Sequence, residues 1–116
     1  MNIDVMLEAI ENLFLELGFK KVKINNRYNY VYKSLYCELN YSDNLGFVIE
    51  YANSLAEAEK SIYDDGDVFS PDIGESAILT GIKAEVEKEM VDVVVEKTTV
   101  VPYFIPATSN QLRQAQ

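Results

Sequence analysis

Apolar and polar positions follow two distinct rhythms along this chain. In residues 3–17, IDVMLEAIENLFLEL, the residues Met6, Leu7, Ile10, Leu13, Phe14 and Leu17 recur at three- and four-residue spacing. That spacing predicts a helix with one broad apolar stripe. Glu8, Glu11 and Glu16 fall mainly on its other side, Asp4 in the first turn suits the helix dipole, and Gly18 stands where a left-handed residue ends a helix. From Phe19 the period changes to two. FKKVKI (19–24) predicts a short strand whose Lys20, Lys21 and Lys23 suit a sheet edge, and Asn25-Asn26 is turn chemistry. In YNYVYKS (28–34), Tyr28, Tyr30 and Tyr32 share one face, which serves either cross-strand packing or an exposed recognition patch. Leu35, Cys37, Leu39 and Tyr41 alternate with Tyr36, Glu38 and Asn40; Phe47, Ile49 and Tyr51 alternate with Val48 and Glu50. With Ser42-Asp43-Asn44 and Gly46 between them, these two runs predict an antiparallel hairpin.

The helical rhythm then returns. Ser54 followed by Glu57 spells a capping box, with Leu55, Ala58 and Ile62 as an apolar face, so a helix is expected over about 55–64. Asp64-Asp65-Gly66-Asp67 stops it, the two first aspartates opposing the dipole of its C-terminal end, and Pro71 and Gly74 punctuate an acidic loop over 64–75. Ile78, Leu79, Ile82, Val86, Met90 and Val93 give a long helix from Glu75 to about Val95. The β-branched end, residues 91–101, suits either a continued helix or a strand. Pro102 and Pro106 bracket a short aromatic piece, and the last ten residues are polar. The expected fold is α+β: one domain over 1–101, a small antiparallel sheet of three or four strands covered by an N-terminal helix and two later helices, then an extended tail over 102–116.

Charge changes this picture more than composition does. The chain of 116 residues carries a formal charge of −9. Residues 57–96 hold twelve acidic and three basic side chains, while the rest balance at seven and seven. An acidic half of this kind opposes nucleic acid and anionic membranes, and it steers a basic partner in or simply keeps the protein soluble. The cytoplasm is the expected location, since the N-terminus has neither a basic region nor an apolar run of signal-peptide type and no segment is apolar enough to span a bilayer. Cys37 is the only cysteine, so no internal disulfide forms, and its place in an alternating strand makes it a core residue.

Candidate chemistry is sparse. With no histidine, Cys37 has no such base to activate it, and neither a nucleophile elbow, a phosphate loop nor a Cys/His metal spacing occurs. Asp64, Asp65, Asp67, Asp72 and Glu75 form the densest oxygen cluster, but no placement of Gly66 meets the calcium-loop pattern. The same carboxylates could in principle act as acid and base, but such pairs abound in acidic surface loops and nothing in the chain predicts a pocket around them. Lys20, Lys21, Lys23 and Arg27 beside Tyr28 and Tyr30 form a basic-aromatic interleave, which four charges next to a strongly acidic half do not turn into a single-strand binder. The chain therefore reads as a non-enzymatic binder without cofactor or metal. The candidate contact residues are Asp64, Asp65, Asp67, Phe69, Asp72 and Glu75, with Tyr63 and Phe69 as aromatic anchors rimmed by charge.

GFKKVKI, LYCELNY, FVIEYANSLAEAEKSIYDDGDVFSPDIGE and ILTGIKAEVEKEM resemble small bacterial immunity proteins of polymorphic toxin systems, over about residues 1–90. The resemblance implies a cytoplasmic protein that neutralises one cognate toxin, the 64–75 loop and the glutamates of the last helix covering the toxin's active site. Two other classes stay open: a DNA mimic from a mobile element, with carboxylates spaced like phosphates, and a dimeric secretion-type chaperone, with an exposed apolar patch. The neighbouring gene product and the oligomeric state, which sequence leaves undetermined, separate them.

Overall fold

The computed structural model describes residues 1–100, with side chains through Val93. The elements run α1 (Ile3–Glu16), β1 (Lys20–Ile24), β2 (Arg27–Tyr32), β3 (Leu35–Ser42), β4 (Gly46–Ala52), α2 (Leu55–Glu59), β5 (Asp65–Phe69), a 3-10 turn (Pro71–Ile73) and α3 (Glu75–Val100). The class is α+β as expected, but the antiparallel sheet has five strands, in sequence order β1-β2-β3-β4-β5. The extra strand comes from the stretch expected to be an acidic loop. Asp and Gly disfavour strands and DGDVF has no apolar alternation, but β4 supplies the partner: Tyr51 faces Asp65, Ile49 faces Asp67 and Phe47 faces Phe69. Residues 91–100 continue α3 rather than becoming a strand. The tail expected over 102–116 lies outside the described residues. Among those described, no helix is long and apolar enough to cross a membrane.

Alternation along the strands divides the sheet into two unequal faces. One face, built from Tyr30, Cys37, Phe47, Ile49 and Tyr51, is covered by α1 through Met6, Ile10 and Phe14 and by α3 through Ile78, Ile82 and Val86; all of these are buried. Phe14 stacks on Tyr30 with ring centroids 4.7 Å apart and meets Phe19 edge-on at 5.1 Å. The second contact belongs to the end of α1. Gly18, at φ +102, is in the left-handed conformation, Gly18 N–H donates to Leu15 O at 3.1 Å, and Phe19 N–H donates to Phe14 O at 3.0 Å. This is a Schellman ending with its usual apolar clasp.

The other face carries a smaller cluster of Ile24, Ala52 and Ala58, flanked by Tyr36 and Tyr63. Here α2 docks, so the helices are not all on one side of the sheet. The helix is also shorter than its apolar pattern predicts. Ser61, at φ +58, and the bond from Ile62 N–H to Glu57 O, 2.9 Å, terminate it at Glu59. Only Ala58 is buried from its expected apolar face, while Leu55 and Ile62 remain 47% and 46% exposed. Asp64 and Asp65 consequently lie beyond the helix, and no conflict with its dipole arises. The capping box forms with one shift: Ser54 Oγ accepts from Glu57 N–H at 3.1 Å, and Glu57 Oε1 accepts from Asn53 N–H at 2.9 Å.

The two edges of the sheet are β1 and β5, and they carry opposite charge. Lys20, Lys21 and Lys23 line the first, as the edge reading of FKKVKI anticipates, and Asp65 and Asp67 line the second. The β1–β2 turn is Asn25-Asn26, both at positive φ, which suits the twist of a two-residue hairpin.

Because Phe14 joins α1 to both Tyr30 and Phe19, Phe14→Ala is expected to cost about 3–5 kcal/mol of stability. Leu15→Ala, at a neighbouring exposed position, is expected to change it by no more than about 0.5 kcal/mol. Urea unfolding of the two variants, compared at equal m-value, checks the contrast.

Candidate functional site

The six candidate contact residues are divided by β5. Asp64 is exposed just before the strand, Asp65 is exposed at its first position, and Asp67 is half-buried at its centre. Asp72 and Glu75 are exposed at the other end, in the 3-10 turn and at the start of α3. The strand spans about 13 Å from Asp65 to Phe69, so Asp64 and Asp65 lie at one end and Asp72 and Glu75 beyond the other. Phe69 faces inward: it packs against the core, and α3 approaches it so closely at Gly81 that an added Cβ there would lie 2.9 Å from the ring. Tyr63 is likewise turned in, donating to Asn29 Oδ1 at 3.3 Å and accepting from Arg27 Nη1 at 3.4 Å. The aromatic anchors of the sequence reading therefore fasten α3 and the α2–β5 connection rather than standing free beside the carboxylates.

What the fold does gather around Asp65 and Asp67 is a second pair of acids from α3, Glu89 and Asp92. Burial, then the neighbouring charges of Asp65, Asp92 and Asp67, hold the Glu89 carboxyl above its usual range, with Lys88 only partly offsetting them. Asp67 has a local partner, since Tyr51 Oη–H donates to Asp67 Oδ2 at 2.8 Å across the β4–β5 ladder. Burial and that bond push the Tyr51 hydroxyl strongly up, so it remains a proton donor to the carboxylate. The result is a carboxylate seam where β5 meets α3. Glu75, about 21 Å up the helix axis from Glu89, is not part of it. Glu89 and Asp92, three residues apart, lie on one side of a helix in the sequence itself. Their meeting with Asp65 and Asp67 is tertiary and needs β5 to be seen as a strand.

Among the described residues, no three acidic, cysteine or histidine side chains come close enough to hold a metal ion. Cys37 is fully buried, and burial, with Glu89 nearby, pushes its thiol far above its ordinary value. The tyrosine face is split: Tyr30 is buried, Tyr32 is half-buried against Phe19 at 5.5 Å, and Tyr28 is 51% exposed with Lys21 Nζ 4.4 Å from its ring centroid.

A second polar group lies on the α2 face. Arg27 Nη1 pairs with Glu38 Oε1 at 2.8 Å, Arg27 Nη2 donates to Ala58 O at 3.2 Å, and Asn25 Nδ2 donates to Glu59 O at 2.8 Å. These bonds satisfy carbonyls at the C-terminal end of α2, and they assign Arg27 a structural duty that its place in a basic stretch does not reveal.

Compared with protein-family models, with curated proteins and with solved structures, the chain matches none.

Two outcomes follow from these environments. A carboxyl whose folded value is raised binds its proton more tightly in the native than in the unfolded state. Its contribution to stability therefore falls as pH rises from the ordinary glutamate range through the raised value. Glu89→Gln is expected to raise Tm at pH 7, and the gain should shrink as the pH is lowered toward 4.5, the reference value for the group; thermal melts of both proteins across that interval measure it. Cys37, for its part, is expected to be unreactive toward an aromatic disulfide reagent at pH 8 in the native protein and to titrate as one thiol in denaturant.

Proposed function

We propose that this protein acts by binding rather than by catalysis, as an acidic immunity protein that neutralises a cognate bacterial toxin by covering its active site. The observation that supports the reading is the gathering of Asp65, Asp67, Glu89 and Asp92 at the β5–α3 seam, where like charges already act on one another. A folded protein bears that repulsion at some cost, and a basic partner relieves it on binding. Asp64 adjoins the seam just before β5, Asp72 and Glu75 stand exposed beyond the other end of the strand, and Phe69 and Gly81 keep the strand and helix that carry the seam in fixed relation. The partner in this reading is a basic protein surface and neither nucleic acid nor membrane. The cytoplasm, where a producing cell would need protection, is the matching location. The resemblance of residues 1–90 to immunity proteins points the same way.

The test is a calorimetric titration of this protein with the product of the neighbouring gene, at low and at high salt. Tight binding that weakens with salt is expected. Asp65→Lys together with Asp92→Lys is expected to reduce affinity on the order of 100-fold, as when charges complementary to a partner are reversed. Affinity unchanged by that pair of reversals would remove the interface from the seam, and absence of binding to the neighbour would sink the immunity reading.

A further inference from the structure

The sheet is continuous in strand order but not along its length. The β1–β2 ladder runs from Lys20↔Val31 to Ile24↔Arg27 and the β3–β4 ladder from Tyr36↔Ala52 to Ser42↔Gly46. Between β2 and β3 the register holds only Tyr30↔Cys37, Val31↔Tyr36 and Tyr32↔Leu35. Beyond Cys37, β3 continues to Ser42 with β4 on one side and no registered partner on the other. A groove of about 430 Å³ enters this opening. Its walls include Tyr28 and Leu39 from the helix-covered face and Arg27, Glu38 and Asn40 from the opposite face. Because side chains alternate, residues of both faces line one groove only where the strands have parted. The Arg27–Glu38 pair crosses the opening on the α2 face, and the registered pairing of β3 with β2 ends at Cys37, so Leu39–Ser42 pairs with β4 alone. Asn29, where the register would continue opposite Glu38, is fully buried, and its Nδ2 has no hydrogen-bond partner.

We propose that this opening accepts an extended peptide segment carrying basic side chains, which adds as a strand to the Leu39–Ser42 edge of β3. A strand edge presents backbone donors and acceptors in a fixed row, and an extended chain is the ligand whose own backbone answers them. The charge of the mouth selects the sign. Lys21 and Arg27 are already held by Glu11 and Glu38, at 2.9 and 2.8 Å, whereas Asp4 and Glu8 line the groove and form no ion pair among the described residues. The unmatched charge is therefore negative. Tyr28 adds a half-exposed aromatic wall, which takes a cation on its face in the stacking of Lys21. The site is at the β2–β3 boundary, apart from β5 and α3, and does not rest on the immunity reading.

The experiment is an NMR titration of the full chain with an end-blocked hexapeptide of alternating lysine and valine. The expected result is saturable binding, with amide shifts and slowed hydrogen exchange at Tyr28–Tyr30 and Leu39–Ser42. The same peptide with alternate backbone amides N-methylated keeps its charge but cannot complete a ladder, and is expected to bind at least about tenfold more weakly. Asp4→Lys with Glu8→Lys, at two exposed helix positions, is expected to weaken the parent peptide by about tenfold as well. The proposal is overturned by absence of binding, by equal affinity for the N-methylated peptide, by indifference to the two charge reversals, or by shifts that cluster at Asp65–Phe69 instead.

Discussion

The acidic side of this fold depends on how closely α3 can approach β5. At Gly81 the helix backbone comes down onto the ring of Phe69, and any side chain there would meet the ring before the helix was seated. The ring in turn belongs to a strand that reads poorly as a strand, being short, acidic and paired on one side only. Burying Phe69 under α3 removes apolar surface from water and holds β5 against β4 despite its unfavourable residues. The same contact sets the separation between the acids of the strand and those of the helix. Glu89 and Asp92 would be unremarked surface residues on a helix lying further away.

The two faces of the sheet are stabilised in different ways. On the α1/α3 face the core is aromatic and aliphatic, and the stack of Phe14 on Tyr30 joins helix to sheet near its middle. On the α2 face there is too little apolar area for a comparable core. A half-buried network of Arg27, Glu38, Tyr63 and Asn29 does part of that work instead, tying a five-residue helix to the strands. Hydrogen bonds to a charged group of this kind contribute more than neutral ones when their geometry is held. The cost is the amide nitrogen of Asn29, buried without an acceptor.

Much of the fold was legible in the chain because period and end signals agreed. The stripe from Met6 to Leu17, the stop at Gly18, the hairpin from Leu35 to Tyr51 and the face of α3 from Ile78 to Val93 all combine a clear period with a matching terminus. The failures have physical causes. DGDVF carries no apolar alternation, and its aspartates and glycine signal a loop as long as the partner strand is unknown. Leu55 and Ile62 suit a longer α2, whereas Ser61 adopts a left-handed conformation that sequence scarcely signals outside Gly and Asn. For the candidate site, the acidity of the region was visible, but its shape was not. Asp65 and Asp67 reach Glu89 and Asp92 only through tertiary contact, and Phe69 turns inward because strand alternation places it opposite Phe47.

The opposite charges of β1 and β5 have a consequence at distances where no side chain touches anything. Four inter-strand steps put the lysine edge about 19 Å from the aspartate edge, so the molecule carries an electric dipole directed across its sheet in addition to its net charge. In the field of a charged body such a molecule is turned as well as drawn. A positively charged surface approaching within about 10 Å at ordinary ionic strength exerts a torque that presents the β5–α3 side first and swings β1 away. Orientation is thereby partly selected before collision, which raises the fraction of encounters that begin with the acidic side forward.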